Sequence, residues 1–287
     1  MVYGYTFNET LELMRKFGIK PSKGLGQNFL TDKNILGKIV ASAEIGKDDQ
    51  VLEIGPGIGT LTRELAARAD KVVAVEIDKR LLPVLEHAVE PFGNVDVING
   101  DILALDLKAL WRDCFKGKAI VAANLPYYVT SPIVMKLLEE GLPLKRIVIM
   151  VQKEVARRMC AAPGGKDYGA LSIAVQYHSL PGIIAVVPPT VFIPPPTVSS
   201  AIVRLDIGEN KRYAVKDEKL LFRLVKAAFG QRRKTLINAL SSGFTLLDRN
   251  RLNDSLAYCG IDPGRRGETL SIEEFCCLAD YIYEKNR

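Results

Sequence analysis

The chain has 287 residues, 48% hydrophobic and 25% charged, with a net charge of +6. This suits one large domain with an appendage, or two domains, and excludes a disordered chain; the modest basic excess is compatible with a polyanionic partner. The five cysteines show no C-x-x-C and His87 and His178 are isolated, so no disulfide framework or metal site is expected; no apolar run approaches a membrane span and no signal pattern opens the chain, so a soluble cytoplasmic protein with free thiols is expected.

Residues 8–17 carry apolar positions at helical spacing and predict a short helix. Pro21, Gly24 and Gly26 interrupt it, and Gly24 to Leu30 leads into Thr31-Asp32-Lys33-Asn34, a capping start for a helix from Ile35 to Ala43. A regular alternation follows. Strands are predicted at Gln50 to Ile54, Lys71 to Ile77, Val95 to Asn99, Ala119 to Ala123 and Arg146 to Val151. Helices are predicted at Thr60 to Ala69, Lys79 to Ala88, Lys108 to Phe115, Ser131 to Glu140 and Lys153 to Cys160. Such alternation implies βαβ units and a parallel sheet covered on both faces. Leu171 to His178, Ile183 to Val187 and Val198 to Leu205 then read as strands without intervening helices, an antiparallel addition at one edge. Between them Pro188-Pro189 and Pro194-Pro195-Pro196 bracket Val191-Phe192-Ile193, predicting a short extended and exposed piece. After about Asp206 the pattern is helical, with helices predicted at Lys216 to Phe229, Gln231 to Ser241, Leu252 to Cys259 and Ser271 to Lys285.

Chemistry gathers where strands end. Glu53-Ile54-Gly55-Pro56-Gly57-Ile58-Gly59 forms the first strand-to-helix turn, where glycines allow a tight turn and close approach of a ligand. It lacks the lysine of a triphosphate-binding loop, and its glycine spacing is not that of a dinucleotide fold. Glu76 follows Gly55 by 21 positions, the spacing at which a carboxylate meets ribose hydroxyls. Asp101 follows the third strand, and Asn124 closes the fourth in Asn124-Leu125-Pro126-Tyr127. Alone, Asn124 reads more readily as a turn residue before proline. Together, these strand ends suit a nucleoside cofactor without phosphates, and S-adenosylmethionine fits.

The ordered set GQNFL, EIGPGIGTLT, VEID, NGDIL, NLPYY and VFIPPPTVSSAIV, from Gly24 to about Leu205, resembles the rRNA adenine dimethyltransferase family, its KsgA/RsmA group and Erm relatives. The tail segment Gln231-Arg232-Arg233-Lys234-Thr235-Leu236 is similar to the former group in particular. The resemblance implies an α/β, Rossmann-like class I S-adenosylmethionine-dependent methyltransferase with a mainly parallel seven-stranded sheet at 1–206. A small all-α rRNA-recognition domain at 207–287 would follow. It implies that Asn28 and Leu30 close over the cofactor, that Gly55 and Gly57 face its methionine part, that Glu76 holds the ribose, and that Asp101 with Ile102 holds the adenine. Asn124, Leu125, Pro126 and Tyr127 would form the N-L-P-Y motif of amino-methyltransferases, and Phe192 would lie beside the target base.

The expected reaction is methylation of N6 on two adjacent adenosines in the 3′-terminal hairpin of small-subunit rRNA, by a monomer acting on immature small-subunit particles. Tyr127 and Phe192 would stack on an unpaired or flipped adenine, whereas Tyr128 reads as structural. Arg157, Arg158, Arg223, Lys226, Arg232, Arg233 and Lys234, with Arg265-Arg266, suggest a phosphate-tracking surface on neighbouring helices. Two other readings stand beside this one: an Erm-type methyltransferase of large-subunit rRNA, and a non-catalytic RNA-binding assembly factor.

Overall fold

Short apolar runs, each bounded by glycine or polar turns, build the strands of this chain. The computed structural model describes residues 3–208, 212–244 and 246–285. In chain order the strands are β1 (Phe29–Leu30), β2 (Gln50–Ile54), β3 (Lys71–Glu76), β4 (Val95–Asn99), β5 (Ala119–Asn124), β6 (Leu144–Gln152), β7 (Leu180–Val187), β8 (Phe192–Ile193) and β9 (Ser200–Asp206). The helices are α1 (Phe7–Lys16), α2 (Lys33–Ala43), α3 (Thr60–Ala66), α4 (Leu82–Val89), α5 (Leu107–Cys114), α6 (Thr130–Glu139), α7 (Lys153–Met159), α8 (Ala170–His178), α9 (Glu218–Gly230), α10 (Leu236–Gly243), α11 (Arg249–Tyr258) and α12 (Ile272–Lys285). Among the described residues no helix is long and apolar enough to cross a membrane.

Seven strands form one sheet in the order β4-β3-β2-β5-β6-β9-β7, and β1 pairs with β8. The pairs β2–β3, β3–β4, β2–β5 and β5–β6 are parallel; β9 returns antiparallel to β6. A parallel sheet must be covered on both faces. Val51, Val72, Ile120 and Val148 pack on one face with Leu36, Ile39, Leu61 and Leu65 of α2 and α3. Leu52, Val73, Val121 and Ile147 alternate to the other face and are equally inaccessible. The strand order reverses between β2 and β5. That switch point opens a crevice at the strands' carboxyl ends, where open α/β sheets bind ligands.

The chain divides into two compact units. One runs up to Ala156 and resumes at Pro181–Ile207; the other comprises Arg157–Leu180 and everything from Gly208 on. Segment 157–180 therefore belongs with the helical tail, whereas the sequence reading assigned it to the first domain.

The same segment holds a second correction. Leu171 to His178, expected as a strand, is helix α8. A short apolar run does not distinguish a buried strand from a buried helix by periodicity. Here Leu171, Ile173, Val175 and Tyr177 are all buried, and Ile173 and Tyr177 join Leu221, Leu224, Leu240 and Phe275 in the second unit's core. Burying each large apolar side chain contributes about 1.5–3 kcal/mol. Strand propensity spans only about 1 kcal/mol and is outweighed.

Candidate active site

The switch-point crevice is a cleft of about 850 Å³, open mouth included, within the first unit. Its walls come from the loop before β1, the turn after β2, the end of β3, the Asn124–Tyr127 turn after β5, and Phe192. No Lys, Arg or His lines it, while two carboxylates, Glu53 and Glu76, do. Such a cleft favours a cationic ligand over a phosphorylated one.

The turn after β2 is shaped by glycine. Gly55 has φ +68 and a side chain there would meet nothing within 4 Å, so its backbone is open to a ligand. Gly57 has φ +62, and a Cβ would lie 3.2 Å from the Phe29 ring. Glu76 secures this turn through its Oε2, which accepts the Gly57 amide at 3.0 Å, while its Oε1 accepts the amide of Asp78, just after β3, at 2.8 Å. A carboxylate has roughly four acceptor positions, so each oxygen retains capacity for a ribose hydroxyl. Burial raises the Glu76 pKa, and these amides oppose the rise.

Asn124 is held in one orientation. Its Nδ2 donates to the Asn28 carbonyl at 3.0 Å. A carbonyl can only accept, so the amide nitrogen must face Asn28 and Oδ1 is left for another donor. Leu125 donates its amide to the Met150 carbonyl at 3.2 Å, fixing the turn. The Tyr127 hydroxyl pairs with Ser200 Oγ at 2.7 Å, anchoring a half-buried ring. Burial raises the Tyr127 pKa.

The loop carrying Asn28 touches each of these parts. Gly26 packs against Pro126 and the Tyr128 ring, both 3.4 Å from a Cβ built on it. Gln27 Nε2 donates to Asp78 Oδ2 at 2.8 Å. Arg80 first, then Gln27, holds the Asp78 carboxyl down at about 2. Leu30 pairs with Phe192 across β1–β8.

The structure thus brings together Asn28, Leu30, Gly55, Gly57, Glu76, Asn124, Leu125, Pro126, Tyr127 and Phe192. Asp101 and Ile102 do not line this cleft. They follow β4 at the sheet's edge, where exposed Asp101 accepts the Leu103 amide at 2.9 Å. Phe192 is not exposed as expected: pairing with Leu30 buries it to 2% accessibility. Tyr128, expected to be structural, is 59% exposed. Arg232, Arg233 and Lys234 lie in an exposed turn between α9 and α10, not in a helix, because α9 ends at Gly230 and Thr235 is extended before α10. Arg157 and Arg158 are exposed in the last turn of α7, and Arg223 is exposed over the Phe244 ring at 5.6 Å. The sequence reading missed the Gln27–Asp78 bond and Ser200, which carry no local signal. It also missed that one oxygen of Glu53 has no hydrogen-bond partner.

The chain is similar to known proteins over nearly its whole length. A sequence model described as ribosomal RNA adenine dimethylase matches residues 19–284. The chain is 55% identical over 278 residues to ribosomal RNA small subunit methyltransferase A of Alkaliphilus oremlandii, covering 96% of this chain and 97% of that one. Among solved structures it resembles a dimethyladenosine transferase from Plasmodium falciparum, with TM-score 0.77 and 27% identity over 90% of this chain and 98% of the other. The 23S rRNA methyltransferase ErmE is similar with TM-score 0.67 and 28% identity, over 88% and 98% of the two chains.

Proposed function

The chain belongs to the ribosomal RNA adenine dimethylase family, and we propose that it transfers methyl groups from S-adenosylmethionine to N6 of two adjacent adenosines in the 3′-terminal hairpin of small-subunit rRNA. Its substrate is the immature small-subunit particle, met in the cytoplasm by a monomer. The 55% identity to a small-subunit methyltransferase, against 28% to ErmE, supports this choice over the large-subunit reading. The unit from Gly208 on, with Arg157–Leu180, is proposed as the rRNA-recognition part.

The residues of the cleft fit the cofactor. Its lining is acidic, its turn after β2 is open at Gly55, and a buried carboxylate oxygen of Glu53 awaits a partner. When bound, the cofactor supplies an electrophilic methyl on a sulfonium. Gly55 and Gly57 would flank its methionine part and Glu76 its ribose, while Asn28 and Leu30 close the cleft; Asp101 with Ile102, which follow β4 and stand outside the lining, would meet its adenine.

The observation that carries the reading is the orientation of Asn124. Adenine N6 is a poor nucleophile because its lone pair is delocalised into the ring. With Nδ2 committed to Asn28, Oδ1 of Asn124 accepts one N6 hydrogen and the Leu125 carbonyl accepts the other. Two acceptors favour a pyramidal nitrogen and aim its lone pair at the methyl. Acceleration then comes from positioning and electrostatics. A strong base is unnecessary, since the methylated nitrogen is acidic and loses its proton to water. Tyr127, anchored through Ser200, would stack on the base, and buried Phe192 would wall the slot.

The test is methyl transfer to immature small-subunit particles with mapping of the labelled nucleotides. Label on both adjacent 3′-hairpin adenosines is expected. Label on large-subunit particles alone would overturn the substrate assignment, and no label on either would overturn catalysis.

A further inference from the structure

Asn124 is oriented by a backbone carbonyl, so something must hold that carbonyl in place. Asn28 lies in a segment, residues 20–28, that is neither helix nor strand. Its path is set by the groups that fasten it. Gln27, the residue before Asn28, fastens it at three points. Its Nε2 donates to Asp78 Oδ2 at 2.8 Å, its Oε1 accepts the Ser22 amide at 2.7 Å, and its own amide donates to the Ser22 carbonyl at 3.2 Å. The segment is thereby closed on itself and tied to the turn after β3. The tie is firm at its far end. Asp78 is buried, its amide is bound by Glu76 Oε1 at 2.8 Å, and its Oδ1 accepts the Arg80 amide and Nε at 3.1 and 2.9 Å. On the other side of Asn28, Phe29 pairs with Ile193. Asn28 itself folds back, its Nδ2 donating to the Gly26 carbonyl at 3.0 Å. The peptide whose oxygen orients Asn124 is thus suspended between two anchors, Gln27–Asp78 and β1–β8.

Resting on the reading of Asn124 above, we propose that Gln27 is a positioning residue for methyl transfer: its bond to Asp78 sets the Asn28 carbonyl, and through it the direction of Asn124 Oδ1. The physical need is specific. An amide side chain has two ends of nearly the same shape and opposite hydrogen-bonding character. Turned over, Asn124 presents N–H groups to the N6 amino group, donor against donor, and the lone pair is no longer aimed. The Asn28 carbonyl opposes that turn by holding Nδ2 at 3.0 Å. Displacing an orienting group by about 1 Å costs up to about 100-fold in rate. The Gln27–Asp78 bond suits the task, because a hydrogen bond to an ionised acceptor is among the stronger ones. Arg80 keeps Asp78 ionised throughout the working pH range. Both ends of the Gln27 amide are engaged, so its part in the reaction runs through Asn28 rather than through a contact of its own. The same path joins Glu76, on the ribose side, to the acceptor: Glu76 Oε1, Asp78, Gln27, Asn28 and Asn124 form an unbroken run of bonded and hydrogen-bonded neighbours.

The experiment is single-turnover methyl transfer by the full chain to immature small-subunit particles. S-adenosylmethionine and protein are saturating, so weaker binding does not enter the rate. Gln27→Ala should lower this rate about 10–100-fold, with particle affinity nearly unchanged. A double-mutant cycle with Asn124→Ala is the deciding readout. Gln27→Ala added to Asn124→Ala should cause no further loss, because no oxygen is left to aim; a residue that merely keeps its loop folded would multiply the loss. A second pair isolates the bond itself. Gln27→Glu keeps the shape and the Ser22 contact but sets carboxylate against carboxylate, and should slow transfer as Gln27→Ala does. Asp78→Asn added to Gln27→Glu restores one donor and one acceptor across the same gap and should recover most of the rate. A natural rate in Gln27→Ala, a multiplied loss in the cycle, or no recovery with Asp78→Asn would each overturn the proposal. Should Gln27→Ala not fold, Gln27→Glu takes its place in the cycle. Absence of transfer by the natural protein defeats the proposed function together with this inference; transfer that is indifferent to Gln27 defeats this inference only.

Discussion

Two side chains set the chemistry of the cleft, and each makes a distinct prediction. In the proposed mechanism Asn124 acts through one oxygen, whose direction is imposed by Asn28. Asn124→Ala removes the acceptor but no part of an RNA-binding surface. Turnover on small-subunit particles should fall about 100-fold or more, with particle affinity nearly unchanged; retained turnover would refute the acceptor role. Glu53 makes a stability prediction. Its folded pKa, about 8, lies above the ordinary 4.5. The folded state therefore binds the proton more tightly than the unfolded state. The stability from this group is fully present below the unfolded pKa and is lost as pH rises toward about 8. The loss approaches about 1.4 kcal/mol per pH unit, on the order of a few kcal/mol in all. Denaturant unfolding of ligand-free protein between pH 5 and 8 should show a decline that Glu53→Gln flattens. The carboxylates at strand ends were legible from their position after apolar runs. What could not be read was the satisfaction of each oxygen, because the amides that occupy Glu76 come from two separate turns, at Gly57 and at Asp78, whose paths depend on packing.

At the level of elements, the sheet announced itself and its edge did not. Strands β2, β3, β5 and β6 lie inside the sheet, so their centres are apolar and buried and their spacing is regular. Helix α8 is equally apolar because it is buried among α9 and its neighbours, and one-dimensional pattern cannot separate the two cases. The proline-bracketed piece failed for a related reason. Proline clusters exclude ladder pairing at their own positions, but Phe192 and Ile193 between them pair with β1, which lies about 160 residues earlier in the chain. A two-residue strand has no periodicity to detect. The burial of Phe192 changes how it must be tested. Phe192→Ala removes a core ring and should cost about 3–5 kcal/mol, read as a lowered denaturant midpoint. Loss of activity in that variant would then say nothing about the base. Phe192→Leu keeps most of the buried volume and should cost about 1.5 kcal/mol or less. If the ring walls the base slot, turnover on particles should drop severalfold more than stability accounts for. Equal stability and equal turnover in Phe192→Leu would remove Phe192 from the slot.

At the scale of the whole molecule, the net charge of +6 contrasts with a cleft whose only charged side chains are carboxylates. On the proposed function the two tasks are electrostatically divided: a small cation would be drawn to the sheet, and the polyanion would have to be met by other residues. The helical unit supplies candidates in the turn between α9 and α10. They are not equivalent. Arg232 pairs with Glu268 at 3.3 Å and donates to the Lys166 carbonyl, so it also braces its own unit. Arg233 and Lys234 are exposed. Arg233→Gln with Lys234→Gln should therefore leave thermal unfolding nearly unchanged, whereas Arg232→Gln should lower it. Each cation that meets a backbone phosphate releases counterions, and log affinity then falls with log salt with a slope of about −0.9 per neutralised phosphate on a duplex and about −0.7 on a single strand. Binding of the double variant to small-subunit particles, measured across a salt series, should be weaker at low salt and shallower in slope by about 0.7–0.9 for each phosphate that is no longer neutralised. Convergence with the natural protein at high salt is expected, because the missing attraction is the one that salt screens. A parallel shift without a change in slope would mean that the turn acts by shape rather than charge, and an unchanged affinity would move the phosphate-tracking surface to another part of the chain.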